Sequence, residues 1–232
     1  MSGITWLGHG SFQLDTPAGA RVLIDPWITG NPSWPEGLAV DRCDAILLTH
    51  GHGDHAGDVA AIAKEHSAPV ATLVELAGWL DGQGVPTTVG FNKGGAIDIA
   101  GLHVTLTTAV HSSTAPDGTP LGDPAGFVVE APGMPTIYFT GDTAVHADMS
   151  LIGEIYEPVI AVVSIGDHYT MGPRQAAVAA RLIGSAEIVP GHYGTFGLLT
   201  GTPAALRDEL AKLGVKATVH EGRPGDVVRA FE

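Results

Sequence analysis

The sequence predicts an α+β fold in which two β-rich halves form two sheets sandwiched between outer helices. Three observations carry this reading. Short runs of apolar and β-branched residues recur along the whole chain, helix-patterned segments fall between strands, and 32 glycines and 16 prolines are scattered between apolar runs as turn formers. With 44% of its 232 residues hydrophobic, the chain can bury a sizeable core, and we read residues 1–232 as one domain.

Taken in order, "ITWLG", "SFQLD", "RVLID" and "DAILLTH" are β-prone runs, and the last two are separated by the proline-rich loop "PWITGNPSWPEG". "DVAAIAKEH" has helical spacing, "APVAT" reads as a strand, and "LVELAGWLDGQG" reads as a helix stopped by glycine. The middle changes character: "AIDIAG", "LHVTLTTAV", "GFVVEAP" and "TIYFTGD" form a run of mostly antiparallel strands. Helices then return. "AVHADMSLIGEIY" precedes the buried strand "VIAVVSIG", "GPRQAAVAARLIG" precedes "AEIVPGH", and "TPAALRDELAKLG" precedes "KATVHEG" and "DVVRAFE".

Composition removes several function classes. No stretch approaches the ~18 to 20 continuous apolar residues of a membrane span, and the N-terminus has no basic and apolar leader pattern, so a soluble, cytoplasmic chain without a membrane partner is expected. The formal charge of −14 repels a nucleic-acid backbone. Cys43 is the single cysteine, which rules out an intrachain disulfide and a cysteine-based zinc site and fits a reducing compartment. The alanine-rich surface of "GPRQAAVAARLIG" could pack inside one subunit or between subunits of a homo-oligomer.

The chemistry concentrates in "THGHGDHAGD", residues 49–58, where His50, His52, Asp54 and His55 fall within six positions. Three imidazoles this close repel when protonated and compete for partners when neutral, so a metal cation is their simplest common acceptor. Placement along the chain extends the set. His50 closes "AILLT", His111 closes "LHVTLTTAV", Asp142 closes "TIYFTG" and His192 closes "EIVPG", so four strands each deliver a metal-capable side chain at their C-terminal ends. Imidazole and carboxylate donors suit zinc, manganese or iron.

"THGHGDH" is the H-x-H-x-D-H signature of the metallo-β-lactamase fold hydrolases, and "HSS", "GDT" and "GHY" follow in the order found in that superfamily. "LIDPWITGNP", "FNKGGAIDIAGLHVTLTTAVHSS", "PDGTPLGDPAGFVVE" and "IGDHYTMGPRQAA" resemble the uncharacterised bacterial and archaeal metal-dependent hydrolases related to ascorbate-6-phosphate lactonases. The resemblance covers nearly the whole chain and implies a four-layer αββα sandwich. It also implies one divalent metal on His50, His52 and His111, a second on Asp54, His55 and His192, and Asp142 bridging the two. Two such metals share a water, lower its pKa toward neutrality and supply hydroxide, with Asp54 or Asp142 anchoring it. A small ester or lactone is the expected substrate. A small-molecule phosphodiester is the alternative, as is a non-catalytic metal-binding or regulatory role. Diiron redox proteins share the fold, but no flavin-binding region follows in this chain.

Other residues carry weaker expectations. A histidine in the first hairpin is common in the resembling branch, which makes His9 a candidate proton donor; His168, beside Asp167 in "IGDHYTMGP", is a second one, although relatives often have asparagine at that position. Asp25 in "LIDPW" is expected to orient a ligand imidazole through its other nitrogen. Trp27 and Trp34 either cap the core or line substrate, Tyr193 either packs or orients a leaving group, and "HSSTAPDGTPLGDPAG" has the profile of an active-site rim or lid. His66, His103, His146, His220 and Cys43 are read as ordinary structural residues.

Overall fold

A computed structural model describes residues 1–231. The first half contains β1 (Gly3–Gly8), β2 (Ser11–Asp15), β3 (Arg21–Ile24), β4 (Ala45–Leu47), α1 (Gly53–Ala56), α2 (Val59–His66), β5 (Val70–Leu73), α3 (Val74–Gly82) and β6 (Thr88–Phe91). Next come β7 (Ala96–Ile99), β8 (Leu102–Thr108), β9 (Ala125–Glu130) and β10 (Ile137–Phe139). The chain then alternates through α4 (Met149–Tyr156), β11 (Ile160–Ser164), α5 (Pro173–Ile183), β12 (Glu187–Gly191), α6 (Pro203–Lys212), β13 (Thr218–Val219) and β14 (Val227–Ala230). Among the described residues, no helix is long and apolar enough to cross a membrane.

The strands form two seven-stranded mixed sheets, ordered β14-β1-β2-β3-β4-β5-β6 and β13-β12-β11-β10-β9-β8-β7. The period-2 alternation of strand side chains sorts residues into layers. Ile4, Trp6, Val22, Ile24, Ala45 and Leu47 face inward and meet Val104, Phe127, Phe139, Val162 and Val189 of the second sheet in a shared inner core. Leu7, Leu23, Ile46 and Leu48 face the other way and pack on Val59, Ile62, Leu76 and Leu80 of α2 and α3. Val128, Tyr138, Val163 and Ile188 do the same beneath α4, α5 and α6. Three apolar interfaces between four layers give the αββα sandwich that the sequence implied. The alanine face of α5 (Ala176, Ala177, Ala179, Ala180) is spent inside this last interface.

Three local features differ from the sequence reading. The His turn includes a one-turn helix, α1, and β6 is a strand where none is expected; its half-exposed Thr88 and Val89 and its Gly90 leave little apolar alternation to read. "DVVRAFE" forms a strand, but β14 returns to the first sheet and pairs antiparallel with β1, so the sheets do not divide the chain into halves. Glu232 lies outside the described residues.

Strand direction places the site. β8 and β10 are both antiparallel to β9, and β11 and β12 run parallel to β10, so β8, β10 and β12 all end at one edge. The end of β4 reaches that edge from the other sheet, where Thr49 O accepts from Ala125 N at 3.0 Å. Gly141, at φ +62°, turns the chain there in a backbone conformation disfavoured for residues with a Cβ.

Candidate metal centre

His50, His52 and His111 form one cluster whose candidate ligand atoms lie within 4.8 Å of one another, and Asp54, His55 and His192 form a second, joined by His9. Residues separated by up to 183 positions in sequence, His9 and His192, pack with tilted rings at 3.9 Å between centroids. Backbone pairing fixes this approach, since His192 N donates to His9 O at 2.8 Å. His9, Asp25 and His192 all sit in the left-handed backbone region, at φ +52°, +47° and +53°. Such strain persists only where surrounding contacts over-determine it, and it gathers at functional sites.

Asp142 stands between the clusters. Its Oδ2 lies 3.2 Å from His55 Nε2, 3.0 Å from His192 Nε2 and 3.8 Å from His111 Nε2. On the first cluster, His50 Nε2 and His52 Nδ1 are 3.0 Å apart. The Nε2 atoms of His55 and His192 are buried and lack an aligned hydrogen-bond partner. Buried polar nitrogens left without partners are costly, and here they converge on a buried carboxylate oxygen. The donor set therefore fits divalent cations on both chemical and geometric grounds.

The supporting residues are as ordered as the donors. Asp25 is 1% exposed; its Oδ2 is 2.8 Å from His55 Nδ1 and accepts from Thr49 Oγ1 at 2.6 Å, while its Oδ1 accepts from Thr49 N at 2.7 Å. Thr49 Oγ1 in turn lies 2.9 Å from His50 Nδ1, so one carboxylate fixes imidazoles of both clusters. Gly10 allows this packing: a Cβ there would lie 2.6 Å from His55 Cε1. Sequence reasoning finds Asp25 but misses Thr49, as it misses Ser112, whose Oγ lies 3.3 Å from His52 Nε2, and Ser164, whose Oγ donates to Asp142 Oδ1 at 3.3 Å. Ser and Thr beside ligands carry no spacing signal of their own.

Electrostatics divide the imidazoles. Burial pushes His50 well below its ordinary pKa, and the neighbouring His55 charge adds to this; burial likewise lowers His52 and His111, so these three present neutral nitrogens. His9 is pushed down to about 4, chiefly by burial, against the hydrogen bond to Asp54. Burial also disfavours the proton on His55, but Asp142 and Asp25 outweigh it and raise this group well above its ordinary value. Burial favours the neutral acids of Asp54 and Asp142. The His9 hydrogen bond outweighs it at Asp54, and His192 with His55 outweighs it at Asp142, so both carboxyls are held low.

The remaining expectations fall at different distances from this centre. His9 is fully buried, with Nε2 3.0 Å from Asp54 Oδ2 and Nδ1 2.9 Å from Thr195 Oγ1. His168 is exposed, outside both clusters, with its ring edge-on to Tyr169 at 4.4 Å. Trp27 is buried and also lines the cleft outside the clusters, whereas Trp34 packs against the outer core. Tyr193 stacks on Trp6 at 4.8 Å, which is a packing role. Ser112 and Ser113, which follow His111, contact His52 and Gly51, while no residue of 112–124 lines the cleft beside the clusters. His103 pairs with Asp98 and His220 with Glu187, and neither belongs to the clusters. Cys43 is buried, its thiol pushed up to about 11 by that burial.

Comparison with known proteins agrees with this geometry. Residues 20–193 match the family model of the β-lactamase superfamily domain. A UPF0173 metal-dependent hydrolase of Herpetosiphon aurantiacus is 53% identical over 230 residues, covering 96% of this chain and 95% of the relative. Igni18, described as a novel metallo hydrolase from the archaeon Ignicoccus hospitalis, superposes with a TM-score of 0.87 at 34% identity, covering 99% of this chain and 97% of that one. CmlA, a diiron β-hydroxylase of Streptomyces venezuelae, shares the fold alone, with a TM-score of 0.70 at 15% identity over 94% of this chain and 52% of its own. The fold thus houses more than one chemistry, whereas the Herpetosiphon and Ignicoccus relatives, at 53% and 34% identity, are both described as metal-dependent or metallo hydrolases. The chain belongs to the β-lactamase superfamily domain family and is a metal-dependent hydrolase of the metallo-β-lactamase fold.

Proposed function

We propose that this hydrolase cleaves a small carboxylic ester or lactone at a two-metal centre. The observation that carries the proposal is the position of Asp142, whose Oδ2 lies within 3.8 Å of Nε2 of His111 in one cluster and closer still to His55 and His192 in the other. His50, His52 and His111 would hold one cation, Asp54, His55 and His192 the other, and Asp142 would serve both. When bound, such a pair lowers the pKa of a shared water and polarises the scissile carbonyl; zinc or manganese suits this donor set, and iron is compatible with it.

The chain's own residues prepare that chemistry. Asp25 holds His55 with Nδ1 engaged and Nε2 aimed inward, and Thr49 does the same for His50. His9 grips Asp54 Oδ2 and keeps this half-exposed carboxylate from swinging toward solvent. Of the two candidate proton donors, His9 is buried, held low by that burial and engaged at both ring nitrogens, so its role in this reading is to hold Asp54; His168 is exposed beside Tyr169, which lines the cleft. The lone buried thiol fits a cytoplasmic setting.

The test is hydrolysis by zinc- and manganese-loaded protein across lactones, carboxylic esters, thioesters and phosphodiesters, beside the Asp142→Ala variant. Turnover of an ester or lactone that is lost in the variant supports the proposal. Preference for a phosphodiester, or undiminished activity of the variant, contradicts it.

A further inference from the structure

A cleft of about 520 Å³ opens directly above the clusters, lined on one side by His52, Asp54 and His111 and on the other by Trp27, Tyr169, Phe196 and Leu198. These four apolar residues come from three separate loops. Trp27 is pinned by Asp58, which accepts from Ile28 N and Thr29 N at 2.6 and 2.8 Å at the start of α2. Phe196 packs against Trp27 at 6.1 Å and against His9 at 5.5 Å, so the wall continues into the cluster without a break.

Tyr169, Phe196 and Leu198 are nonetheless 52%, 39% and 52% exposed. Large apolar side chains brought together and left open beside a reactive centre mark a ligand-binding surface. Among the described residues, no lysine or arginine lines the cleft, and the chain carries a formal charge of −14. A second anionic group on a substrate would therefore find no counter-charge outside the clusters.

We propose that the substrate is uncharged and carries an aromatic or branched apolar group, seated on Trp27, Tyr169, Phe196 and Leu198 while the scissile bond lies over His52, Asp54 and His111. This inference rests on the metal-dependent reading of the site and specifies its substrate class. Phe196 and Leu198 are its specificity-determining residues. The short Gly-rich segment "YGTFGLLT" that carries them follows His192 directly, so the same local chain supplies a cluster residue and the apolar wall.

Hydroxamates, which chelate hydrolytic metals without being turned over, separate the two readings. Metal-loaded protein is titrated calorimetrically with acetohydroxamate, benzohydroxamate, 2-naphthohydroxamate and 4-carboxybenzohydroxamate. Affinity is expected to rise about tenfold from the acetyl to the naphthyl compound, as burial of a ring's apolar area provides, and to fall when the carboxylate is added. In Leu198→Ala and in Phe196→Leu, two modest truncations, the naphthyl-to-acetyl ratio is expected to shrink to within about threefold. A flat series, an unchanged ratio in both variants, or tighter binding of the carboxylated compound overturns the apolar subsite. Failure of every hydroxamate to bind the metal-loaded protein overturns the hydrolytic metal site, and the subsite with it.

Discussion

Asp25 and His55 form the buried hinge of the centre: Asp25 Oδ2 sits 2.8 Å from His55 Nδ1, leaving His55 Nε2 3.2 Å from Asp142. A carboxylate behind a ligand imidazole fixes its tautomer and orientation and raises its basicity. Loss of such a partner typically weakens metal binding by about 10–100-fold. Asp25→Asn keeps the shape but removes the charge, and is expected to reduce affinity within that range in a competitive chelator titration. Thr49→Val, which breaks the link from Asp25 to His50, is expected to weaken it too.

Metal should stabilise the fold as well as activate it. Asp54 and Asp142 are partly or fully buried carboxylates surrounded by imidazoles, two of which offer unpartnered nitrogens to a cation. Binding to the folded state alone adds about 2.7 kcal/mol at a free concentration 100 times Kd. For a chain of this size that corresponds to roughly 5–10 °C in Tm. Chelator-treated protein is expected to melt lower by an amount of this order and to recover on readdition of zinc or manganese, with the recovery blunted in His192→Ala.

The motif cluster was legible because its spacing is local. His50, His52, Asp54 and His55 lie within six residues, and His111, Asp142 and His192 each follow an identifiable apolar strand. Asp25 could be read by resemblance. Trp27 could be named as one of two alternatives, but Thr49, Thr195 and the rest of the apolar wall could not, because Tyr169, Phe196 and Leu198 join Trp27 only through tertiary structure and obey no local period. The same distinction holds in the fold. Alternation identified most strands, yet the return of β14 to β1 depends on pairing between the chain's two ends, which no window along the sequence contains.

Glu187 offers a pH test remote from the clusters. Its Oε2 accepts from His220 Nε2 at 2.6 Å, and the Arg229 guanidinium from β14 pairs with it, linking the second sheet to the first. The Arg229 hydrogen bond holds the Glu187 carboxyl below its ordinary 4.5 against the effect of burial, with His220 adding to the depression. A depressed folded-state pKa contributes stability that is present above the unfolded value and lost as pH falls through the folded one. Glu187→Gln is therefore expected to cost about 1 kcal/mol at neutral pH. The gap between variant and native protein in urea unfolding is expected to narrow below pH 4.5. A gap that widens on acidification would contradict this account of the pair.

His9 separates positioning from simple packing. Its Nε2 engages Asp54 and its Nδ1 faces Thr195, so His9→Gln retains one polar contact while His9→Phe fills the space with none. The glutamine variant is expected to keep more of the native metal affinity than the phenylalanine variant, although both remain folded by circular dichroism. Equal affinities would leave His9 with no role in holding Asp54.

The number of divalent cations per chain, in native protein and in Asp142→Ala, tests the two-metal centre most directly. Both proteins are loaded with zinc, dialysed and assayed by elemental analysis. The account predicts two ions per native chain and at most one in the variant, because Asp142 Oδ2 serves both clusters. A native content of one, or a content of two that the substitution leaves unchanged, would contradict it.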